Sequence, residues 1–213
     1  MRTIDRVLLG AGLLIPFWLF FGVLLTARQF PGYSHVDLAM SQLGAVGAPT
    51  HDVSPWLNNL PLGVLFVLCG LGVWRRFQGA RLAAVSALLV MLHGLASISA
   101  GYFPCDQGCL PAEPSLSQRL HNLSGLVMFL SLTLASTLWI FLARRLLGSP
   151  GFAWFCLLCT GLTLVTVGLM AEALESGHGF GLYQRLNYGI AVAWLAVLAW
   201  LSRGDAVLPP SNP

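Results

Sequence analysis

Long apolar runs alternate with short polar segments along the whole chain. Six runs are each about 20 residues long, and we predict helices at about 6–27, 57–75, 82–103, 119–143, 152–174 and 184–202. A helix rises about 1.5 Å per residue, so each run can cross a hydrocarbon core of about 30 Å. Because backbone groups in lipid must bond to one another, helices are expected throughout. The pattern predicts an all-α polytopic membrane protein with six transmembrane helices in one bundle.

The composition agrees with this class. Of the 213 residues, 56% are hydrophobic and 9% are charged, whereas about 25% of the residues in a soluble domain are charged. The mean hydropathy is +0.76. No segment between the apolar runs is long enough to form a soluble domain. The net charge of +3 is small and gives no indication of a nucleic-acid partner.

The arginines predict how the bundle is oriented. All basic residues apart from histidine are arginines, and they divide unequally between the two sides of the predicted bundle. Because short cytoplasmic loops carry an excess of basic residues, the richer side is predicted to be cytoplasmic. Both termini then lie in the cytoplasm. The richer side has Arg2, Arg6, Arg75, Arg76, Arg81, Arg144, Arg145 and Arg203; the other has Arg28, Arg119 and Arg185.

The two ends of the chain are assigned as follows. The first apolar run follows a charged start, but it is longer than the apolar part of a signal peptide and lacks a convincing cleavage site. We therefore expect a retained helix. The segment 204–213 contains three prolines and is predicted to be a disordered cytoplasmic tail. Residues 1–203 would form the single transmembrane domain.

The first outer loop is predicted to be structured. Ser34 and Asp37 have the spacing of a helix cap, and Val36, Met40 and Leu43 follow at helical spacing. These positions predict a short amphipathic helix lying on the outer surface of the bundle.

Two cysteines lie in the second outer loop. Cys105 and Cys109 are four positions apart, and outside the cytoplasm such a pair is most simply a disulfide. A zinc site that adds His121 is an alternative, although it would be incomplete. Cys156 and Cys159 are predicted at the cytoplasmic end of the fifth helix, too far away to exchange disulfides with the first pair.

The histidines do not predict a cofactor. A haem held between neighbouring helices would need two histidines at one depth. His93 and His121 differ in predicted depth by about 12 Å, at about 1.5 Å per residue. His93 is therefore interpreted as a neutral core histidine bonded to a serine or a backbone carbonyl. No cofactor and no metal are predicted.

Polar and charged residues collect near the outer ends of the last three helices. We predict that they form a ligand-binding site of Arg119, His121, Asn122, Glu172, Arg185 and Asn187, with Gln184 beside them. Glu172 lies in an apolar stretch, and ionisable groups in membrane helices usually face the bundle interior and find partners. Arg185 or His121 would be that partner. A structural ion pair between the fifth and sixth helices, or arginines serving only as interfacial anchors, would explain the same pattern.

Several short motifs occur in the loops and at the helix ends: Pro31-Gly-Tyr-Ser34, Ser41-Gln-Leu-Gly-Ala-Val-Gly-Ala-Pro49, Asn58-Asn59, Gly101-Tyr-Phe-Pro-Cys-Asp-Gln-Gly-Cys109, His121 and Gln184-Arg185. In these motifs the chain resembles the bacterial integral membrane proteins called domain of unknown function 998. The resemblance implies a six-helix protein of the bacterial cytoplasmic (inner) membrane. It implies no activity and therefore assigns no catalytic roles.

Three functions are compatible with these residues. The first is the binding or handling of a lipid headgroup or another anionic ligand at a cationic site on the outer face. The second is an intramembrane lipid hydrolase or transferase with His121 and Glu172 as candidate catalytic groups. The third is an assembly or scaffold protein that binds another membrane protein through outer loops 28–56 and 104–118. The sequence favours the first and leaves open whether the protein is an enzyme.

Overall fold

Six long helices make up most of the computed structural model, which describes residues 1–204. The helices are α1 (Thr3–Ala27), α2 (Leu60–Arg76), α3 (Arg81–Tyr102), α4 (Leu116–Leu147), α5 (Pro150–Ser176) and α6 (Phe180–Ser202). Each is long and apolar enough to cross a membrane, with α2 counted together with the turn before it. Within the described range the structure is all-helical, and the predicted multi-pass membrane fold is confirmed. The predicted tail lies outside this range apart from Gly204.

The helices form a closed ring in chain order. Each packs against its neighbours in sequence, α6 closes the ring against α1, and α6 also touches α2 and α4. Trp139 of α4 and Trp194 of α6 are fully buried, and their indole N–H groups donate to Ser86 of α3 and to Cys156 of α5. The end of the ring that carries residues 28–59, 103–115 and 177–179 is called the loop face below, and the opposite end the terminal face. On the terminal face, Arg75 donates to the Asp5 carboxylate at 2.7 Å.

Glycines bring α2 and α3 unusually close together. A Cβ atom on Gly94 would lie 2.5 Å from the carbonyl oxygen of Gly63, and a Cβ atom on Gly63 would lie 2.6 Å from the carbonyl oxygen of Gly94. The two backbones therefore touch here, as small residues permit between membrane helices. This approach holds the loop-face half of α3 against α2.

The first loop, 28–54, lies on the loop face and is fastened to the start of α6. The amide of Leu182 donates to the carbonyl of Val36 at 2.8 Å, and the amide of Met40 donates to the Gln184 side chain at 2.7 Å. Asp37 accepts from the amide of Gly179 at 3.0 Å. The loop is thereby held over the end of the bundle.

The predicted amphipathic helix in this loop is wrong. Ser34 does accept from the amide of Asp37 at 3.1 Å, as a cap would. Turns follow instead of an α-helix, and only Met40–Gly44 is helical, as a short 3₁₀ segment. The reason is that the carbonyl of Val36 and the amide of Met40 are bonded to α6 and are not available for a helix ladder.

The second loop is compact and is organised by a buried glutamine. Gln118 is 2% exposed. Its side chain accepts from the amide of Asp106 at 2.8 Å and donates to Asn122 at 2.8 Å and to the carbonyl of Cys109 at 3.4 Å. Cys105 and Cys109 are joined by a disulfide. These ties fix the loop in place before α4 begins.

Candidate functional site

A cavity of about 380 Å³ lies inside the loop-face half of the ring. All six helices contribute to its wall, and Met40 and Ser41 of the first loop close its end. Its polar lining is Ser41, Ser54, Asn58, Asn59, His93, Ser97, His121, Thr133, Thr163, Gln184, Asn187 and Tyr188, and the remainder is apolar apart from backbone. A cavity of this size with a mainly apolar wall and a few polar groups is typical of a small-molecule site.

A wide helical turn at the start of α2 places two asparagines in the wall. Residues Pro55–Asn59 form a single π-helical turn, in which the amide of Leu60 donates to the carbonyl of Pro55, five residues earlier. Asn58 and Asn59 both line the cavity although they are adjacent in sequence. The hydroxyl of Ser97 on α3 donates to the carbonyl of Asn59 at 2.9 Å and fixes the turn against α3. Single π-turns are frequent at functional sites.

His121 is held by the end of α3. Its Nδ1 lies 3.1 Å from the carbonyl oxygen of Ala100 and 2.9 Å from that of Phe103. Both carbonyls are among those that a helix leaves unpaired at its C-terminus. The ring is thereby anchored through one nitrogen and lines the cavity.

His93 and Tyr188 form a buried pair at the inner end of the cavity. Nδ1 of His93 lies 2.9 Å from the carbonyl oxygen of Met128 on α4, and Nε2 lies 3.1 Å from the Tyr188 hydroxyl on α6. His93 is 1% exposed, and its ring packs 4.1 Å from that of Phe66. The predicted bond from His93 to a backbone carbonyl is confirmed, and the hydroxyl partner is a tyrosine and not a serine.

Asn187 holds α6 against α5 beside this pair. Its Nδ2 donates to the carbonyl of Thr163 at 2.8 Å and to the hydroxyl of Thr166 at 2.9 Å. Because both hydrogens of the amide are used in these bonds, the orientation of the amide group is fixed.

The cavity opens sideways between α4 and α5. Near the terminal face these helices touch, where the Ser136 and Thr160 hydroxyls lie 2.8 Å apart. Phe129 and Leu126 lie on the same side of α4 as Ser136, two and three turns nearer the loop face, because positions three, four and seven apart share a helix face. Leu126 lines the cavity yet is 53% exposed. The cavity therefore has an opening at Leu126, on the apolar outer surface of the bundle, and this opening is called the mouth below.

Four of the six predicted site residues, including Arg185, do not line this cavity. Arg119 and Glu172 are exposed and lie two positions from the lining residues His121 and Met170, about 200° around their helices. Asn122 is exposed, and its side chain accepts a hydrogen bond from Gln118. Glu172 forms no ion pair with any residue in 1–204, so the predicted pairing with Arg185 or His121 is wrong. A membrane helix is apolar on all sides, and the sequence did not show which side faces inward.

Arg185 lies in a different place, between α6 and the first loop. Its guanidinium donates to the carbonyls of Leu38 at 3.0 Å and Gly181 at 2.8 Å, and to the Tyr33 hydroxyl at 2.6 Å. It borders a second cavity of about 310 Å³ between α1 and α6. Burial raises the pKa of Tyr33, although the nearby guanidinium opposes that shift. The main role of Arg185 is thus to hold the first loop against α6.

The lining of the central cavity is therefore neutral in its fixed charges. Of the predicted ligand-binding residues, His121 and Asn187 line it, whereas no arginine, aspartate or glutamate of residues 1–204 does so. The central cavity is therefore not the cationic site that the sequence indicated. The described residues also include no group of three or more His, Cys, Asp or Glu side chains placed to hold a metal ion. The disulfide leaves Cys105 and Cys109 without the thiolates that a zinc site with His121 would need.

Several residues of the site were missed from the sequence. Tyr188 was not singled out, and Asn58 and Asn59 entered only through the family resemblance. A signal for Tyr188 was present, since it directly follows Asn187 and lies at the same depth of α6. Nothing in the sequence pattern indicates the π-turn that turns both asparagines inward.

Comparison with known proteins adds the family. Residues 13–201 match the model of a family described as a protein of unknown function, DUF998. The chain belongs to the DUF998 family. The match runs from within α1 to the last turn of α6, so the resemblance seen in the loops is confirmed for the whole bundle. No curated protein and no solved structure matches this DUF998 protein.

Proposed function

We propose that this protein binds a lipid-soluble amphiphilic molecule in the central cavity, with its polar head at the polar side chains of the lining, among them His93, His121, Asn187 and Tyr188. The observation that carries the proposal is the position of the mouth. It lies between α4 and α5, where Leu126 is exposed on the side of the bundle that faces lipid. A ligand dissolved in the bilayer would enter there without crossing water.

The shape and chemistry of the cavity support an amphiphile. The apolar wall suits a hydrocarbon part, because burying apolar surface is favourable and nondirectional. Several polar side chains of the lining, such as those of His93, His121 and Asn187, are positioned by bonds to backbone groups, which favours a defined orientation of the head. The absence of fixed charge from the described lining favours an uncharged head over the anionic headgroup that the sequence indicated, because an unpaired ion is costly to bury.

The other candidate functions are less well supported. A hydrolase or transferase that uses His121 and Glu172 together would need both groups at one site, and Glu172 lies on the far side of α5 from the cavity. A scaffold function would use the outer loops. Their polar groups are largely engaged with each other and with α6, as in the bond from Gln42 to the carbonyl of Gly108 at 2.9 Å.

The proposed setting is the cytoplasmic membrane of a bacterium, with the loop face outside. This part of the proposal rests on the arginine distribution and on the sequence resemblance. A ligand would then enter from the outer leaflet.

A plug at the mouth tests the proposal. Gly125 lines the cavity and is exposed, and a Cβ atom added to it would meet no other atom within 4 Å. Gly125→Trp should therefore fold and obstruct the entrance. Gly168→Trp is the matched control, since Gly168 is likewise exposed and open but lies outside the lining.

The measurement is native mass spectrometry of protein extracted with little detergent from its own membrane. A small lipid-soluble adduct should be present on the wild type and on Gly168→Trp and absent from Gly125→Trp. An adduct that is equally abundant on both variants would place binding outside the cavity and refute the proposal. A wild type that carries no adduct, and takes up none from added membrane lipid extract, would refute it as well.

A further inference from the structure

The bonds around the cavity determine which hydrogen-bonding atoms are left for a ligand. They do so for His121, Asn187 and Tyr188, because each of these side chains has a partner that can only accept or only donate. The inference below rests on the proposed function and specifies the class of molecule that the same cavity takes.

The tautomer of His121 is fixed by its two carbonyl partners. A carbonyl oxygen can only accept, so Nδ1, at 3.1 Å and 2.9 Å from the carbonyls of Ala100 and Phe103, must carry the hydrogen. In the neutral ring, Nε2 then carries the lone pair. No residue in 1–204 donates to this Nε2, and the ring lines the cavity. His121 therefore offers the ligand an acceptor.

The Tyr188 hydroxyl is also left as an acceptor. Nδ1 of His93 faces the carbonyl of Met128 at 2.9 Å and so carries the hydrogen of that ring. Nε2 is then an acceptor, and the Tyr188 hydroxyl at 3.1 Å donates its only hydrogen to it. The oxygen of the Tyr188 hydroxyl can therefore only accept a hydrogen bond from a ligand.

The amide of Asn187 completes the set. Both hydrogens of Nδ2 are taken by the carbonyl of Thr163 and the hydroxyl of Thr166. The hydroxyl of Thr166 in turn donates to the carbonyl of Leu162 at 2.8 Å and can only accept from Asn187. The oxygen of Asn187 is therefore its free atom. Asn187 and Tyr188 are adjacent on α6 and both line the cavity.

We infer that the cavity binds a lipid-soluble alcohol or phenol, whose hydroxyl donates its single hydrogen to one of the acceptors that His121, Asn187 and Tyr188 offer. An acceptor-only head, such as an ether or a ketone, could bond only to donors elsewhere in the lining, such as the side-chain amides of Asn59 and Gln184, and would leave these acceptors without partners. An ammonium head would meet acceptors but no carboxylate, since the described lining has no Asp or Glu, and a buried unpaired charge is costly. A neutral hydroxyl supplies a hydrogen-bond donor and carries no charge that would have to be buried.

The test compares two probes that differ in a single hydrogen-bond donor. The probes are 4-octylphenol and its methyl ether, 4-octylanisole, titrated into the protein in lipid nanodiscs with native mass spectrometry as the readout. The wild type should bind the phenol about tenfold more tightly than the ether, because a net hydrogen bond changes affinity by about that factor. Gly125→Trp should abolish the binding of both.

Variants locate the acceptors. Of the two variants Tyr188→Phe and His121→Asn, the one that removes the accepting atom should reduce the phenol-to-ether ratio at least about threefold. In His121→Asn the new side chain can still donate near the former Nδ1 but does not reach the position of Nε2. Ser124→Ala is the control: its hydroxyl bonds to Ser99 at 2.9 Å, outside the cavity lining, and its loss should leave the ratio unchanged.

The outcomes separate the two proposals. Equal binding of phenol and ether by the wild type, lost in Gly125→Trp, would overturn the assignment of a hydroxyl ligand and leave the cavity as a binding site. A ratio that survives both Tyr188→Phe and His121→Asn would overturn the assignment of these acceptors. Failure of the wild type to bind either probe would overturn this inference, and the adduct experiment on protein from its own membrane would then decide the proposed function independently.

Discussion

Substitution of Gly94 by alanine should loosen the contact between α2 and α3. The added Cβ would lie 2.5 Å from the carbonyl oxygen of Gly63 and 3.0 Å from side-chain atoms of Phe66 and Val67. A carbon and a carbonyl oxygen normally stay about 3.3 Å or more apart. The two helices must therefore separate locally by about 0.8 Å, which is the difference between these distances, since neither backbone atom can rotate away.

The expected cost follows from this displacement. Forcing one extra methyl group into a packed interface costs about 1–3 kcal/mol, and the contact lies beside His93, which is buried. We expect the free energy of unfolding to fall by about 2 kcal/mol. The Ser97 bond to the carbonyl of Asn59, one turn nearer the loop face, should weaken at the same time because it spans the same two helices.

Unfolding by sodium dodecyl sulfate in mixed micelles, followed by circular dichroism, measures this change. Gly168→Ala is the control, because a Cβ atom there meets no atom within 4 Å, and its effect should stay within about 0.5 kcal/mol. If Gly94→Ala proves as stable as Gly168→Ala, the two backbones do not touch at this position and the reasoning is wrong.

Three further predictions concern the loop face. Gln118→Leu removes the hydrogen bonds of a buried side chain, including the acceptor for the amide of Asp106, and should lower the free energy of unfolding by about 1–3 kcal/mol. The same titration measures this, with exposed Leu123→Gln as control. Arg185→Ala removes the donor to the Tyr33 hydroxyl and should speed amide hydrogen exchange in residues 33–40 without affecting the second loop; unchanged exchange would contradict its structural role. Hydrogen bonds donated by a backbone amide and a serine hydroxyl lower the pKa of Asp37. This carboxylate therefore stabilises the fold above about pH 4, and the stabilisation is lost as the pH falls below that value. Amide hydrogen exchange in the first loop should rise at the lower pH, and Asp37→Asn should remove this pH dependence.

The covalent pattern of the chain was sufficient to predict the architecture. Apolar runs of about 20 residues can satisfy their backbone groups in lipid only as helices, and this constraint does not depend on neighbouring segments. The same holds for Cys105 and Cys109, whose separation of four residues places them within reach of each other in almost any loop. Helix ends were less accurate. The predicted helix at 119–143 extends over Leu116–Leu147, because the side chain of Ser115 caps it by accepting from the amide of Gln118 at 3.1 Å.

The composition of the site depended on the tertiary structure. In a soluble protein the polar side of a helix faces water, so periodicity identifies the buried side. In a membrane both the lipid side and the core side are apolar, and this signal is lost. Arg119 and His121 are two positions apart and looked equivalent in the sequence, yet His121 lines the cavity and Arg119 is exposed.

The sequence by itself determined the six helices, the proximity of the two loop cysteines and the end of the bundle at which the polar residues collect, because each of these follows from local chain properties. Only the tertiary structure decided that His121, Asn187 and Tyr188 line one cavity and which of their atoms remain available to a ligand. Those atoms are set by partners on other helices, such as the carbonyls of Ala100 and Met128, and no local pattern specifies which carbonyl a distant helix will present.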